Sequence, residues 1–116
     1  MQKKLAYIPD SRTLLVLLES ADISLRQTVR DLKNELLNLH DGREMRLPME
    51  TASSDSVPVT HICIDFAKVQ FVSRAAMDEY VSLKDTLTPL AAVSETNMSP
   101  NISATLTIVR KTHYGN

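Results

Sequence analysis

Apolar positions along this chain fall into short continuous runs and longer stripes of helical period. Leu5 to Ile8 is a short run stopped by Pro9-Asp10-Ser11, a turn signature. Thr13 to Glu19 (TLLVLLE) is a second run of strand length. Leucine favours helices, so helix is the competing reading for Leu14 to Leu18, but the run is short and bounded by turn residues. Two strands joined by so short a turn pair antiparallel. Leu25, Val29, Leu32, Leu36 and Leu39 then recur at spacings of 4, 3, 4 and 3, the strongest periodic signal present. Ser24 followed by Gln27 fits a capping box at the start of this helix. Asp41-Gly42 supplies its stop, with Gly42 in the left-handed position.

Residues 43 to 58 carry two prolines and mixed charge without a sustained period. They read as an exposed loop, mobile in its second half, with room for a short edge segment over Met45, Leu47 and Met49. The stretch 59 to 87 organises what remains. Val59, Ile62 and Ile64 put β-branched residues on both alternating faces of a run ending in Asp65-Phe66, the pattern of a strand covered on both sides. Ser73 is placed to cap a helix whose inner face holds Ala76, Tyr80, Leu83 and Leu87. Pro89 to Ser94 is weakly apolar and reads as one more buried strand. Ser99-Pro100 opens a last helix with Ile102, Leu106 and Val109 inside and Arg110 and Lys111 at its end, the tail fraying from Thr112. Strands alternating with amphipathic helices imply parallel pairing through right-handed crossovers, and hence an α/β sheet with an antiparallel edge hairpin.

Composition narrows the classes. With 116 residues, 43% hydrophobic and 23% charged, the chain reads as one globular domain over 1–116. A net charge of −1, no Trp and 4% aromatics argue against a nucleic-acid binder. Cys63 is the one cysteine, which excludes a disulfide framework and fits a small buried hydrophobe. No signal peptide or membrane span is visible, so the expected location is cytoplasmic. With only two glycines, neither a phosphate-cradling loop nor a dinucleotide fingerprint can be built. His40, His61 and His113 share no spacing that suggests a catalytic or metal cluster. No catalytic residue, metal site or cofactor is expected.

The segment from His61 to Leu83 resembles the central motif of STAS domains, and more closely the small bacterial STAS-like domains of unassigned biochemistry, with a distant similarity to anti-sigma factor antagonists. The residues that carry it are Asp65-Phe66, Val69, Phe71, Ser73 and Asp78-Glu79. Ser24-x-Arg26 and Asn97-Met98-Ser99-Pro100 agree at the openings of the first and last helices, so the likeness spans about residues 13 to 112. It implies a STAS-like mixed sheet of about four strands with an antiparallel edge hairpin and three amphipathic helices. It also implies a regulatory or adaptor role exercised by docking on a protein partner, such as a histidine-kinase-like ATPase that phosphorylates a turn of Asp-Ser-Ser-Gly type. This chain departs from that turn. Ser73 stands at its aspartate, Arg74 at its first serine, Ala75 at the usual phosphoacceptor and Ala76 at its glycine. The known switch is therefore expected to be absent; phosphate on Ser73 competes with a role for Ser73 as helix cap, and the cap is preferred.

Among candidate sites, adjacent Asp78 and Glu79 point different ways on a helix, so they read as solvated or capping carboxylates rather than a shared acid–base pair. Arg26 and Arg74 lie near helix N-termini, where they form an anion-attracting rim if those termini converge. The plainer alternative is surface arginines paired with Asp22 or Asp78. The leading reading is a non-catalytic module that docks a protein partner through Ser24, Arg26, Ser73, Arg74 and Asp78, with Ser99 nearby. Its alternative is a small-molecule or nucleotide-binding sensor using the same rim. A homo-oligomer exposing a leucine of the first helix or the edge hairpin is a third reading, and an enzyme is disfavoured.

Overall fold

The computed structural model describes residues 1–40, 44–47 and 56–113. Strands β1 (Lys3–Ile8) and β2 (Thr13–Leu18) form the expected antiparallel hairpin, with Leu5 opposite Val16. Its turn is a single 3-10 turn over Pro9–Ser11 that closes with Arg12 in the left-handed region at φ 52°. The run Thr13–Leu18 is thus a strand: hydrogen bonds to two neighbours outweigh the helix preference of leucine. Beyond β3 (Asp22–Ile23) comes helix α1 (Arg26–Leu39), then the paired segments β4 (Met45–Arg46) and β5 (Ser56–Val57). There follow β6 (His61–Asp65), β7 (Phe71–Val72), helix α2 (Arg74–Leu87), β8 (Ala92–Thr96) and helix α3 (Pro100–His113).

The main sheet runs β1-β2-β6-β8, with β2, β6 and β8 parallel to one another. Each parallel strand is added on the same side of its predecessor. Right-handed crossovers then place every connecting helix on one face of the sheet. The core follows that rule. Leu14, Val16 and Leu18 of β2 with Ile62 and Ile64 of β6 meet Val29, Leu32 and Leu36 of α1, Leu83 and Leu87 of α2, and Ile102, Leu106 and Val109 of α3. Phe66 and Tyr80 tie the end of β6 to α2 through an edge-to-face contact with ring centroids 5.6 Å apart.

Several sequence expectations need correction. The strand around Ile62 is covered on one side only; Cys63 and His61 on its other face are half-buried. The last strand is shifted toward the C-terminus, Ala92–Thr96 instead of Pro89 to Ser94, and is a half-exposed edge strand. Pro89 and Leu90 belong to the turn closing α2, where the N–H of Leu90 and of Ala91 return to the Leu87 carbonyl. Helix α1 begins one residue later than the capping box requires. Its N-cap is Leu25, with no side-chain cap bond, and Leu25 is 66% exposed rather than part of the inner stripe. Met45 and Leu47, placed in an exposed loop, are buried. Helix α3 continues through Thr112 to His113. Gly42, Met49 and most of the expected mobile segment lie outside the described residues. Among the described residues no helix is long and apolar enough to cross a membrane.

Candidate functional site

All three helices start beyond the carboxyl ends of the parallel strands, α1 after β2, α2 after β6 and α3 after β8. The starts of α1 and α2 are bound together by a feature invisible in the sequence. The two-residue strands β3 and β7 pair in parallel, Asp22 with Phe71 and Ile23 with Val72. The N–H groups of Gln70 and Phe71 both donate to the Ala21 carbonyl, at 2.8 and 3.0 Å, and the Ser73 N–H donates to the Ile23 carbonyl at 2.9 Å.

Ser73 completes the junction. Its hydroxyl donates to the Ser24 carbonyl at 2.7 Å and accepts from the Ala76 N–H at 3.0 Å, capping α2 as its sequence position implies. Ser24 holds no helix N–H; its hydroxyl donates to the Asp22 carboxylate, forming a local turn in place of a capping box. Side chains bridge the same two helices. Arg26 donates to Asp78 at 2.7 Å, and His113 from the end of α3 lies 3.0 Å from the other oxygen of that carboxylate. The Arg26 bond, then the His113 bond, holds the Asp78 carboxyl below the usual aspartate value. Arg26 therefore follows the plainer of its two readings, a surface arginine paired with Asp78.

Glu79 is the main departure from expectation. It does not read as a solvated carboxylate, because it is only 7% exposed at the interface of α1 and α2. Arg30 lies 3.0 Å from it, Lys33 3.6 Å and Arg26 4.0 Å. The Arg30 hydrogen bond is the chief cause that lowers the Glu79 carboxyl, against the opposing effect of burial. Asp78 and Glu79 do point different ways, one toward Arg26 and His113, the other toward Arg30 and Lys33. Asp78 is held by Arg26 and His113 and Glu79 by three cations, an arrangement that fastens the helices together.

The third helix start is built similarly. Ser99 accepts from the Ile102 N–H at 3.3 Å, capping α3. Just before it, Asn97 takes the left-handed conformation at φ 57° and donates to Asp65 at 3.1 Å, while the Ala67 N–H donates to the same oxygen at 2.8 Å. Asp65, the last residue of β6, thus holds the turns after β6 and β8 in register.

Of the five residues expected to form a docking rim, Ser24, Arg26, Ser73 and Asp78 are joined by direct bonds across the α1–α2 junction. Arg74 is the first residue of α2, exposed and bonded to no described residue. None of the three helices has an acidic residue in its first turn, so Arg74 faces the positive end of its helix dipole without local compensation. Sequence reasoning missed two large apolar side chains here, Leu25 at 66% and Phe71 at 52% exposure. One follows Ser24 directly and the other lies in β7, on the ladder that joins the two helix starts. Among the described residues no group of three or more His, Cys, Asp or Glu side chains is arranged to hold a metal ion. No protein-family profile matches the chain, and no curated protein matches it.

Proposed function

We propose that this chain is a STAS-like, non-catalytic regulatory module that docks a partner protein through the rim where α1 and α2 begin. One observation carries the reading. Leu25 and Phe71 stand exposed on a junction that hydrogen bonds and an ion pair make rigid, with the uncompensated charge of Arg74 beside them. Aromatic side chains and arginine are enriched in protein–protein interfaces, Leu25 adds apolar area beside them, and a preformed surface loses little entropy on binding. The order of elements and the motif from Asp65 to Glu79 supply the STAS-like part of the proposal. Ser73, tied to both Ser24 and Ala76, serves in it as structural cap rather than as the trigger.

Affinity capture with the immobilised protein tests this. A partner bound by the wild type is lost, by about thirtyfold in affinity for a hot-spot side chain, in Leu25→Ala, Phe71→Ala or Arg74→Glu. It is kept in Asp10→Lys, an exposed change in the β1–β2 turn at the other end of the sheet. Circular dichroism melts close to wild type exclude unfolding as the cause. Capture that is indifferent to all three rim variants refutes the proposal.

A further inference from the structure

The other face of the sheet carries a second surface. Strand β2 is apolar on both sides, yet the helices cover one side only. Leu15 and Leu17 belong neither to the core nor to the partly buried apolar side chains packed against it. By register Leu15 lies in a row with Ala6 of β1 and Cys63 of β6, Leu17 lies in the next row of this face, and Ile8 at the end of β1 is 43% exposed. A strand apolar on both faces normally lies between two layers, and among the described residues the second layer is missing.

We propose that a second copy of this chain supplies it, the two sheets packing face to face about a two-fold axis that runs along β2. The charges at one end of the face select this occupant. Lys4 and Asp65 flank Leu17 on opposite sides in one row. An axis along β2 brings Lys4 of each copy over Asp65 of the other, while Leu15 and Leu17 each meet their own equivalent and Ala6 meets Cys63. Glu19 then approaches its equivalent near the axis, but Lys4 and Lys68 of its own chain lie 3.8 and 3.7 Å from it. Each copy thus contributes two lysines and two carboxylates, and the charged end is neutral. The pairing is isologous, as a closed dimer requires.

Size sets the strength. With the axis along β2, three strands of each copy (β1, β2 and β6) overlap; at about 4.8 Å apart and about five residues of about 3.3 Å each, they give roughly 240 Å² in projection per copy. Counting side-chain relief on both copies, the interface lies below the roughly 1,000 Å² floor of stable association, so the dimer is weak, transient and governed by concentration.

Sedimentation equilibrium from micromolar to near-millimolar concentration, with the rate of maleimide alkylation at Cys63 as a local probe, tests the proposal. The wild type is expected to dimerise within that range and its Cys63 to alkylate more slowly as concentration rises. Lys4→Glu, a change at an exposed side chain, sets Glu against Asp65 of the other copy; it should weaken the dimer at least about tenfold and abolish the concentration dependence of alkylation. Leu17→Lys should do the same. A monomer throughout the range overturns the proposal. So does a dimer that tolerates Lys4→Glu, or one whose Cys63 alkylates at the same rate at every concentration.

Discussion

Glu79→Gln probes the only buried charged side chain among the described residues while keeping its shape. Three cations surround the carboxylate, but their surroundings differ. Arg26 and Arg30 have side chains 48% and 46% exposed, whereas Lys33 is 20% exposed. Breaking a fully buried ion pair costs about 3–5 kcal/mol, while exposed pairs contribute about 0–1 kcal/mol. After substitution the two arginines rehydrate in place, and the amide oxygen still accepts from Arg30. The loss at pH 7 should therefore fall between those limits, at about 1–2 kcal/mol, or a melting temperature lower by about 4–8 °C for a domain of this size. The pH dependence gives the sharper test. Arg30 holds the folded carboxyl below its ordinary value of 4.5, so the unfolded chain takes up the proton first as pH falls. Stability from Glu79 is complete above that value and is lost as pH falls through the lower folded value. The difference between wild type and variant should be full at pH 7 and close toward zero in acid. Urea unfolding followed by circular dichroism measures it, since the chain has no Trp for fluorescence. Equal stability at pH 7, or a difference that persists unchanged at acid pH, would refute this account of the α1–α2 interface.

Three further outcomes follow from the same geometry. Ser73→Ala loses both the cap of α2 and the bond to the Ser24 carbonyl, and should cost about 1–2 kcal/mol in urea unfolding. Ser73→Asp can still accept from Ala76 but sets a carboxylate against that carbonyl, so it too should be less stable than wild type. Tyr80 is buried and donates to Glu95 at 2.6 Å; burial first, then the Glu95 charge, pushes its phenol well above the ordinary tyrosine value. In an absorbance titration it should stay protonated until the protein unfolds in alkali, and folding stability should decline as pH rises past the ordinary value. Tyr80 ionising with the exposed tyrosines, before unfolding, would contradict this. Leu36→Ala and Leu25→Ala separate two leucines of one sequence stripe: about 2–5 kcal/mol is expected for the fully buried Leu36, and under about 0.5 kcal/mol for Leu25.

Those two leucines mark the boundary between what was legible in the sequence and what was not. The period of 4 and 3 located α1 correctly because Val29, Leu32 and Leu36 face the core. It misplaced Leu25 because periodicity says which residues share a face, not where the neighbouring element ends. Gln27 makes Ser24 read as a cap, but the helix starts with Leu25 at the N-cap position, so Ser24 lies one residue outside it; its hydroxyl donates to Asp22, and Gln27 donates to Asp31 at 2.7 Å. Ser73 and Ser99 were legible as caps, since a cap bond joins residues three apart and needs nothing distant. Glu79 gave no signal. Its partners lie on another helix, and charged residues are seldom buried unless paired.

The sequence by itself determined the local elements: the edge hairpin, three amphipathic helices and two of their caps. Each depends on residues within a few positions of one another, so composition and spacing suffice. Tertiary structure decided which surfaces are left for function. The β3–β7 ladder joins residues 22–23 to 71–72 and turns Ser24, Arg26, Ser73 and Asp78 into one rim, a juxtaposition no local pattern encodes. Strand order decided the other surface. Each parallel strand adds on the same side, so the right-handed crossovers carry α1 and α2 to one face, where α3 joins the same core, and leave Leu15 and Leu17 on the other. A strand apolar on both sides announces that both faces want cover; only the topology shows which one the chain covers itself.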